Sequence, residues 1–519
     1  MKSNQNRMAI RILAAVCIMI FCFASFKNAE LDIIKVEGGK ISGDLNRDQY
    51  VHVFRGIPFA APPVDDLRWQ APQPIKPWKG VKECKAFGPS PMQASPVPFS
   101  MWSEEFLIPK EPISEDCLYL NVWTAAKTAN EKRPVLVWIY GGGFVSGGSA
   151  VPIYDGEAMA KKGIVFVSIN YRVGPFGFFA HPELTKESGK NASGNYALMD
   201  QIAALQWIKK NITAFGGNPN NVTIAGQSAG SFSVNCLVAS PLGKNLFQKA
   251  IGQSGASFTD DYPSLEKGEQ EGLKIAKSLK AESIADLRKV PAEEIMKKAQ
   301  GLRGAIIDGY VLPQSIADIF AAKKENKVAL LTGWNEDEGL LFAPPKNAEG
   351  FKKEINDRYG SDAKTLLQFF PANTDAEAAS SQLKLSRDQI FGTQNYIWAN
   401  IQSDHGSKVF VYRFTRKVPG TGEYAKYGAF HTGEVPYAYN NLKFVNRPWE
   451  AVDHELANII SSYWANFAKS GNPNGTGLPE WPGYNTKEKK IMLLGVKTES
   501  IKLPDAASLD FLVEKMNSR

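Results

Sequence analysis

The chain has 519 residues, of which 44% are hydrophobic and 22% charged. That balance excludes a disordered chain, a collagen-like repeat and a polytopic membrane protein. The formal net charge is +7; an excess this small, with no basic run interleaved with aromatics, gives no nucleic-acid partner.

The N-terminus has the pattern of an export signal. Lys2, Arg7 and Arg11 precede an apolar run over 12–26, which is short for a membrane span. Cys22-Phe23-Ala24 offers small residues for a cut after Ala24, with Ala29 as the alternative site. A lipid anchor through Cys22 is the less favoured reading, because bulky Phe21 precedes it. The expectation is a signal over 1–24, an exported protein, and one catalytic domain over 31–515 with no stable membrane span. A monomer is expected.

Along the mature chain, 33–36 and 50–55 read as short strands. The Pro-rich stretch 58–98 reads as a long ordered surface loop, since proline removes the backbone donor. Three near-continuous apolar runs follow, at 134–140, 164–169 and 222–225. They have the character of buried parallel strands. Between the last two, 196–211 has helical spacing, with Leu198, Ile202, Leu205 and Ile208 on one face. Helical and charged patterns fill 262–325 and 350–405. Strand-like runs return at 328–332, 409–414 and 491–495, with a helix over 455–467. Strands alternating with helices predict an α/β fold: a mainly parallel central sheet flanked by helices, with large helical insertions.

Gly226-Gln227-Ser228-Ala229-Gly230 directly follows the run 222–225. A sharp strand-to-helix turn there would hold the Ser228 hydroxyl out at the top of the sheet, and flanking glycines would relieve the crowding. Gly141-Gly142-Gly143-Phe144 follows the run 134–140. Its amides at Gly142 and Gly143, with that of Ala229, could converge on a developing alkoxide. No Lys-Ser/Thr follows, so a nucleotide-binding loop is excluded. A serine nucleophile needs a base. Of the five histidines, His431 follows a late strand and fits best, with His405 as the alternative; His52, His181 and His454 read as structural or surface residues. The acid should follow the strand at 328–332, where Glu336, Asp337 and Glu338 compete and the residue pattern alone does not choose.

Cys84, Cys117 and Cys236 remain after the signal. Cys236 follows an apolar run and reads as buried, which leaves Cys84–Cys117 as the expected bridge in an exported protein. With no CxxC and no His-rich cluster, neither a metal site nor a cofactor is expected.

These motifs, with Phe54-Arg55-Gly56-Ile57-Pro58, Glu115-Asp116-Cys117-Leu118, Asn170-Tyr171-Arg172 and Tyr463-Trp464-Ala465-Asn466-Phe467, resemble the type B carboxylesterases. These are α/β-hydrolases that include the cholinesterases, and the likeness is nearest to bacterial secreted members of the para-nitrobenzyl-esterase kind. The resemblance implies ester hydrolysis through an acyl-enzyme. It selects Glu338 as the acid, and it gives Ser254 and Glu434 as polar residues supporting His431. The chain departs from the family in three places. Gln227 stands where many relatives have Glu, Ala125 where proline is common, and Cys84 is displaced from the usual half-cystine position. A neutral Gln227, and a Trp102 that matches no choline-binding spacing, weigh against cationic choline esters. The family also contains catalytically dead adhesion proteins, but those lose triad residues that are present here. The expected partner is a small-molecule ester. Aryl, feruloyl, lipid and carbamate substrates are left open.

Overall fold

The computed structural model describes residues 31–517 except Gln49, Asp260, Asp261 and Phe342. The expected signal, with Cys17 and Cys22, lies outside these residues.

Eleven strands form the central sheet. They are β1 (Asp44–Leu45), β2 (His52–Pro58), β3 (Tyr119–Thr124), β4 (Arg133–Ile139), β5 (Val165–Ile169), β6 (Gly217–Gln227), β7 (Lys249–Gln253), β8 (Ala329–Asn335), β9 (Val409–Phe414), β10 (Lys490–Leu494) and β11 (Glu499–Lys502). The spatial order is β11-β10-β9-β8-β7-β6-β4-β5-β3-β2-β1. From β5 through β10 every neighbouring pair is parallel. The pairs β10–β11, β5–β3, β2–β3 and β1–β2 are antiparallel. The mainly parallel sheet expected from the apolar runs is therefore present, with antiparallel margins. Two of its strands carry weaker sequence signals. β7 is only five residues long, contains Gly252 and begins with a buried Lys249; β3 alternates Leu120, Val122 and Thr124 with Asn121.

Helix α1 (Tyr196–Asn211) has the predicted bounds. Its burial extends beyond the predicted stripe to Ala197, Asp200, Gln201 and Ala204, so it lies between layers rather than on the surface. Asp200 is tolerated there because Arg172 grips it with two guanidinium hydrogen bonds of 2.8 and 2.7 Å; a buried charge is stable only when paired. Helix α2 (Ala229–Ala239) follows β6, and α3 (Asp375–Arg387) and α4 (Thr393–Asp404) belong to the second insertion. Helices α5 (Ala451–Ser470) and α6 (Ala506–Asn517) close the chain.

One large hydrophobic core runs through the sheet and its helices. Each insertion has a separate apolar cluster: one around Phe179, Ile275 and Leu287, the other around Phe351, Leu366 and Leu512. The Pro-rich stretch is ordered and partly buried, as Trp69 and Gln93 show. The Gln93 amide donates to the Gly147 carbonyl at 2.7 Å and accepts from the Gly147 N–H at 2.8 Å, which props the glycine turn after β4 from below.

Candidate active site

In a parallel α/β sheet, ligands bind at the carboxyl ends of the strands, and the expected site residues gather there, after β4, β6, β8 and β9. Ser228 sits between β6 and α2 with φ 55° and ψ −126°, a left-handed conformation that is costly for a residue with a side chain. The flanking glycines are obligatory: a Cβ on Gly226 would lie 2.3 Å from the Gly230 carbonyl, and one on Gly230 would lie 2.0 Å from the Ile139 carbonyl oxygen. The turn is pinned by the Ser228 N–H donating to Gln253 O at 2.9 Å.

The loop after β4 packs against this turn. A Cβ on Gly141 would approach Gln227 O at 2.6 Å. Gly142, Gly143 and Phe144 all have positive φ (108°, 61° and 63°). Val145 and Ser146 N–H groups fold back onto Gly142 O. Among the described residues, the N–H groups of Gly142 and Gly143 have no protein acceptor. The N–H of Ala229, first residue of α2, has no intrahelical one.

His431 is buried, and its Nδ1 lies 2.7 Å from Glu338 Oε2. Its ring stacks on Phe391 at 4.4 Å and meets the edge of Trp102 at 6.3 Å. The other histidines lie elsewhere. His405 pairs with Glu325 at 2.7 Å near the opposite, amino ends of the strands. His181 caps a short helix by accepting the Glu183 N–H.

The three competing carboxylates have separate partners. Glu336 binds Arg387 and Arg413 at 3.0 and 2.7 Å. Asp337 accepts the Ala429 N–H at 2.8 Å and so anchors the histidine loop. Glu338 is fully buried and reaches His431, while its other oxygen accepts the Asn335 N–H at 2.7 Å.

Glu434 supports this assembly through Asn335, whose amide donates to it at 2.5 Å, and it also accepts from Gln253 at 3.0 Å. Burial and the charge of Glu338 push the Glu434 carboxyl up to about 7. The expected support from Ser254 is not made: its hydroxyl is buried without a hydrogen-bond partner. Ser228 Oγ likewise makes no side-chain hydrogen bond among the described residues. Catalytic contacts of this kind are often long before substrate arrives.

The expected Cys84–Cys117 bridge is corrected: both are free, buried thiols. The backbone of Cys84 is held between Ser42 and Arg55, whereas Cys117 lies in the field of Asp200 and Arg172. Burial pushes the Cys84 thiol up to about 11. Three further side chains at the site carried no local sequence signal as partners of the base: Trp102 and Phe391 reach His431 from distant stretches of chain, and Thr432, beside His431 in sequence, meets Trp102 and Gln227 only in the fold.

A family model described as the carboxylesterase family matches residues 30–512. The chain belongs to the carboxylesterase family. This carboxylesterase has the α/β-hydrolase fold and is a carboxylic-ester hydrolase. It is 35% identical over 475 residues to a protein named fumonisin B1 esterase from Sphingopyxis macrogoltabida, an alignment that covers 87% of this chain and 84% of that protein. It is 34% identical over 484 residues to para-nitrobenzyl esterase of Bacillus subtilis, covering 89% and 94%. It is also 34% identical over 521 residues to carboxylesterase 1D of Mus musculus, covering 90% of each. Among the described residues no helix of this carboxylesterase is long and apolar enough to cross a membrane, and no cluster of acids, histidines and cysteines could hold a metal ion.

Proposed function

We propose that this carboxylesterase cleaves neutral carboxylic esters through a Ser228–His431–Glu338 triad. The observation that carries the reading is the buried 2.7 Å contact between His431 Nδ1 and Glu338, beside a serine on a strained strand-to-helix turn. Glu338 holds the imidazole with its proton on Nδ1, leaving Nε2 to take the hydroxyl proton as Ser228 attacks the ester carbonyl. The unpartnered N–H groups of Gly142 and Gly143, with that of Ala229, bind the alkoxide that forms, each donor contributing about 3–4 kcal/mol. His431 then protonates the leaving alcohol. Water, deprotonated by the same base, releases the acid from the acyl-serine. Asn335 and Glu434 hold Glu338 in place from behind. The N-terminal pattern supports action outside the cytoplasm after removal of 1–24.

The test combines labelling and mutation. A fluorophosphonate should modify Ser228 alone, and Ser228→Ala should lose at least about 10³-fold in kcat against neutral esters while keeping its fold. A loss under about tenfold, or a label on another residue, refutes the triad. A panel varying acyl and alcohol groups then defines the substrate.

A further inference from the structure

The second insertion reaches the base directly. Helices α3 and α4 run into each other without a break, and their register changes at one π-helical turn, Asp388–Gly392. Such a turn takes up one residue more than an α turn and often marks a functional site. Before it, Ala378 and Leu385 of α3 pack in the insertion's own cluster; Phe391, on the turn, is buried in the main core. Its ring lies 4.4 Å from that of His431, centroid to centroid, with only 15° between the planes. The turn is fastened independently of the histidine. Asp388 pairs with Arg387 at 2.7 Å. Gly392 sits so close to β8 that a Cβ there would come within 3.3 Å of the Trp334 indole nitrogen. One helical turn after Phe391, Asn395 accepts the Gly255 N–H at 3.0 Å and donates to Gly333 O at 2.8 Å. Phe391 is thereby tied to β8, the strand that leads to Glu338, and to the chain just after β7.

The contact with Glu338 holds one atom of the imidazole, Nδ1. It leaves the ring free to tilt about that contact, and a tilt carries Nε2 away from the place where it must meet the Ser228 hydroxyl. A ring stacked flat on the imidazole opposes the tilt, because van der Waals contact is lost on one side and overlap arises on the other. We propose that Phe391 is a positioning residue for the base: the π turn fixes its ring in the main core, and its face holds the His431 imidazole in the plane from which Nε2 serves Ser228. The inference rests on the triad reading.

The full-length enzyme is assayed on a neutral nitrophenyl ester beside Phe391→Leu and Phe391→Tyr. Leucine fills much of the space but offers no flat face; tyrosine keeps the face. Phe391→Leu should lose about 10- to 100-fold in kcat, since a misplacement of about 1 Å costs up to about 100-fold. Its KM should not change, because the loss falls on the chemical step and not on uniform binding. Phe391→Tyr should keep most of the wild-type kcat. A rise in KM with kcat unchanged would make Phe391 a wall of the substrate pocket and overturn the proposal. So would a wild-type kcat in Phe391→Leu, or equal losses in the two variants.

A second measurement needs no variant to fold. In wild-type enzyme labelled with ¹³C-histidine, the ring current of Phe391 should move the carbon-bound ring protons of His431 upfield of those of His454, which is exposed. His431 protons at the position of those of His454 overturn the proposal. If fluorophosphonate labels Ser228 while Phe391→Leu keeps its kcat, only this inference falls. If Ser228 is not labelled, the triad reading falls first and takes this inference with it.

Discussion

Glu434 shows how one buried side chain links site architecture to stability. Its two oxygens accept from Asn335 and Gln253, but burial and the neighbouring Glu338 charge outweigh these donors and raise its carboxyl from 4.5 to about 7. Between those pH values the folded protein holds a proton that the unfolded chain has released. The free energy of unfolding therefore falls as pH rises through this window and levels off above about 7. The size of the effect is about 3 kcal/mol. Glu434→Gln carries no such titration. Denaturant unfolding of both proteins should show the wild-type advantage shrinking by about 3 kcal/mol from pH 4.5 to pH 7; an advantage constant with pH refutes this account.

At the scale of elements, the loop after β8 is set by a charge clamp remote from the serine. Arg413 is buried, lies 4.6 Å over the Trp334 ring, and binds both Glu336 and Asp505. Arg387 holds the same two carboxylates together with Asp388. The clamp joins the acid loop to α3 and to the start of α6, two residues from Glu338. Without Arg413, Glu336 and Asp505 are partly exposed and keep Arg387 as partner, so the cost is that of lost charge-assisted hydrogen bonds, about 1–3 kcal/mol. Arg413→Met should lower the melting temperature by about 1–3 °C, the modest shift expected for the large unfolding entropy of a chain this long. It should also reduce kcat/KM, because Glu336 no longer fixes the loop that aims Glu338. Calorimetry and kinetics on one preparation check both; an unchanged melting temperature refutes the clamp.

At the scale of the whole molecule, α6 ties separate parts together. Leu509 belongs to the main core, Leu512 belongs to the cluster of the second insertion, and Asp505 belongs to the clamp. Deleting 504–519 should therefore loosen the second insertion before the sheet. Limited proteolysis should cut within 348–404 in the truncated protein and not in the intact one, and activity should fall by more than about tenfold. Cuts confined to other regions would refute the coupling. The same long-range organisation explains the thiols: Cys84 and Cys117 sit 33 positions apart in sequence and both belong to the main core, but Cys84 lies against Ser42 and Arg55 while Cys117 lies by Asp200 and Arg172, so cysteine counting could not decide their pairing.

Much of the site was legible along the chain because its geometry is local. A glycine-serine-glycine turn after a strand needs only five residues, and the close approach at Gly226 is made by the Gly230 carbonyl of the same turn, whereas Gly230 is crowded by Ile139 at the end of β4. Apolar runs revealed the central strands because parallel strands are covered on both faces; β7 escaped because five residues with a glycine and a lysine carry no such run. What only the tertiary structure decided involves partners far apart in sequence. Residues 336–338 are three adjacent carboxylates, and their roles separate only when Arg413, Ala429 and His431 arrive from elsewhere. The link from Trp102 through Thr432 to Gln227 spans over 300 positions. Local sequence encodes backbone turns and burial periodicity; which polar group meets which is settled when the sheet closes and a buried donor or acceptor must find a partner or bear the cost of lacking one.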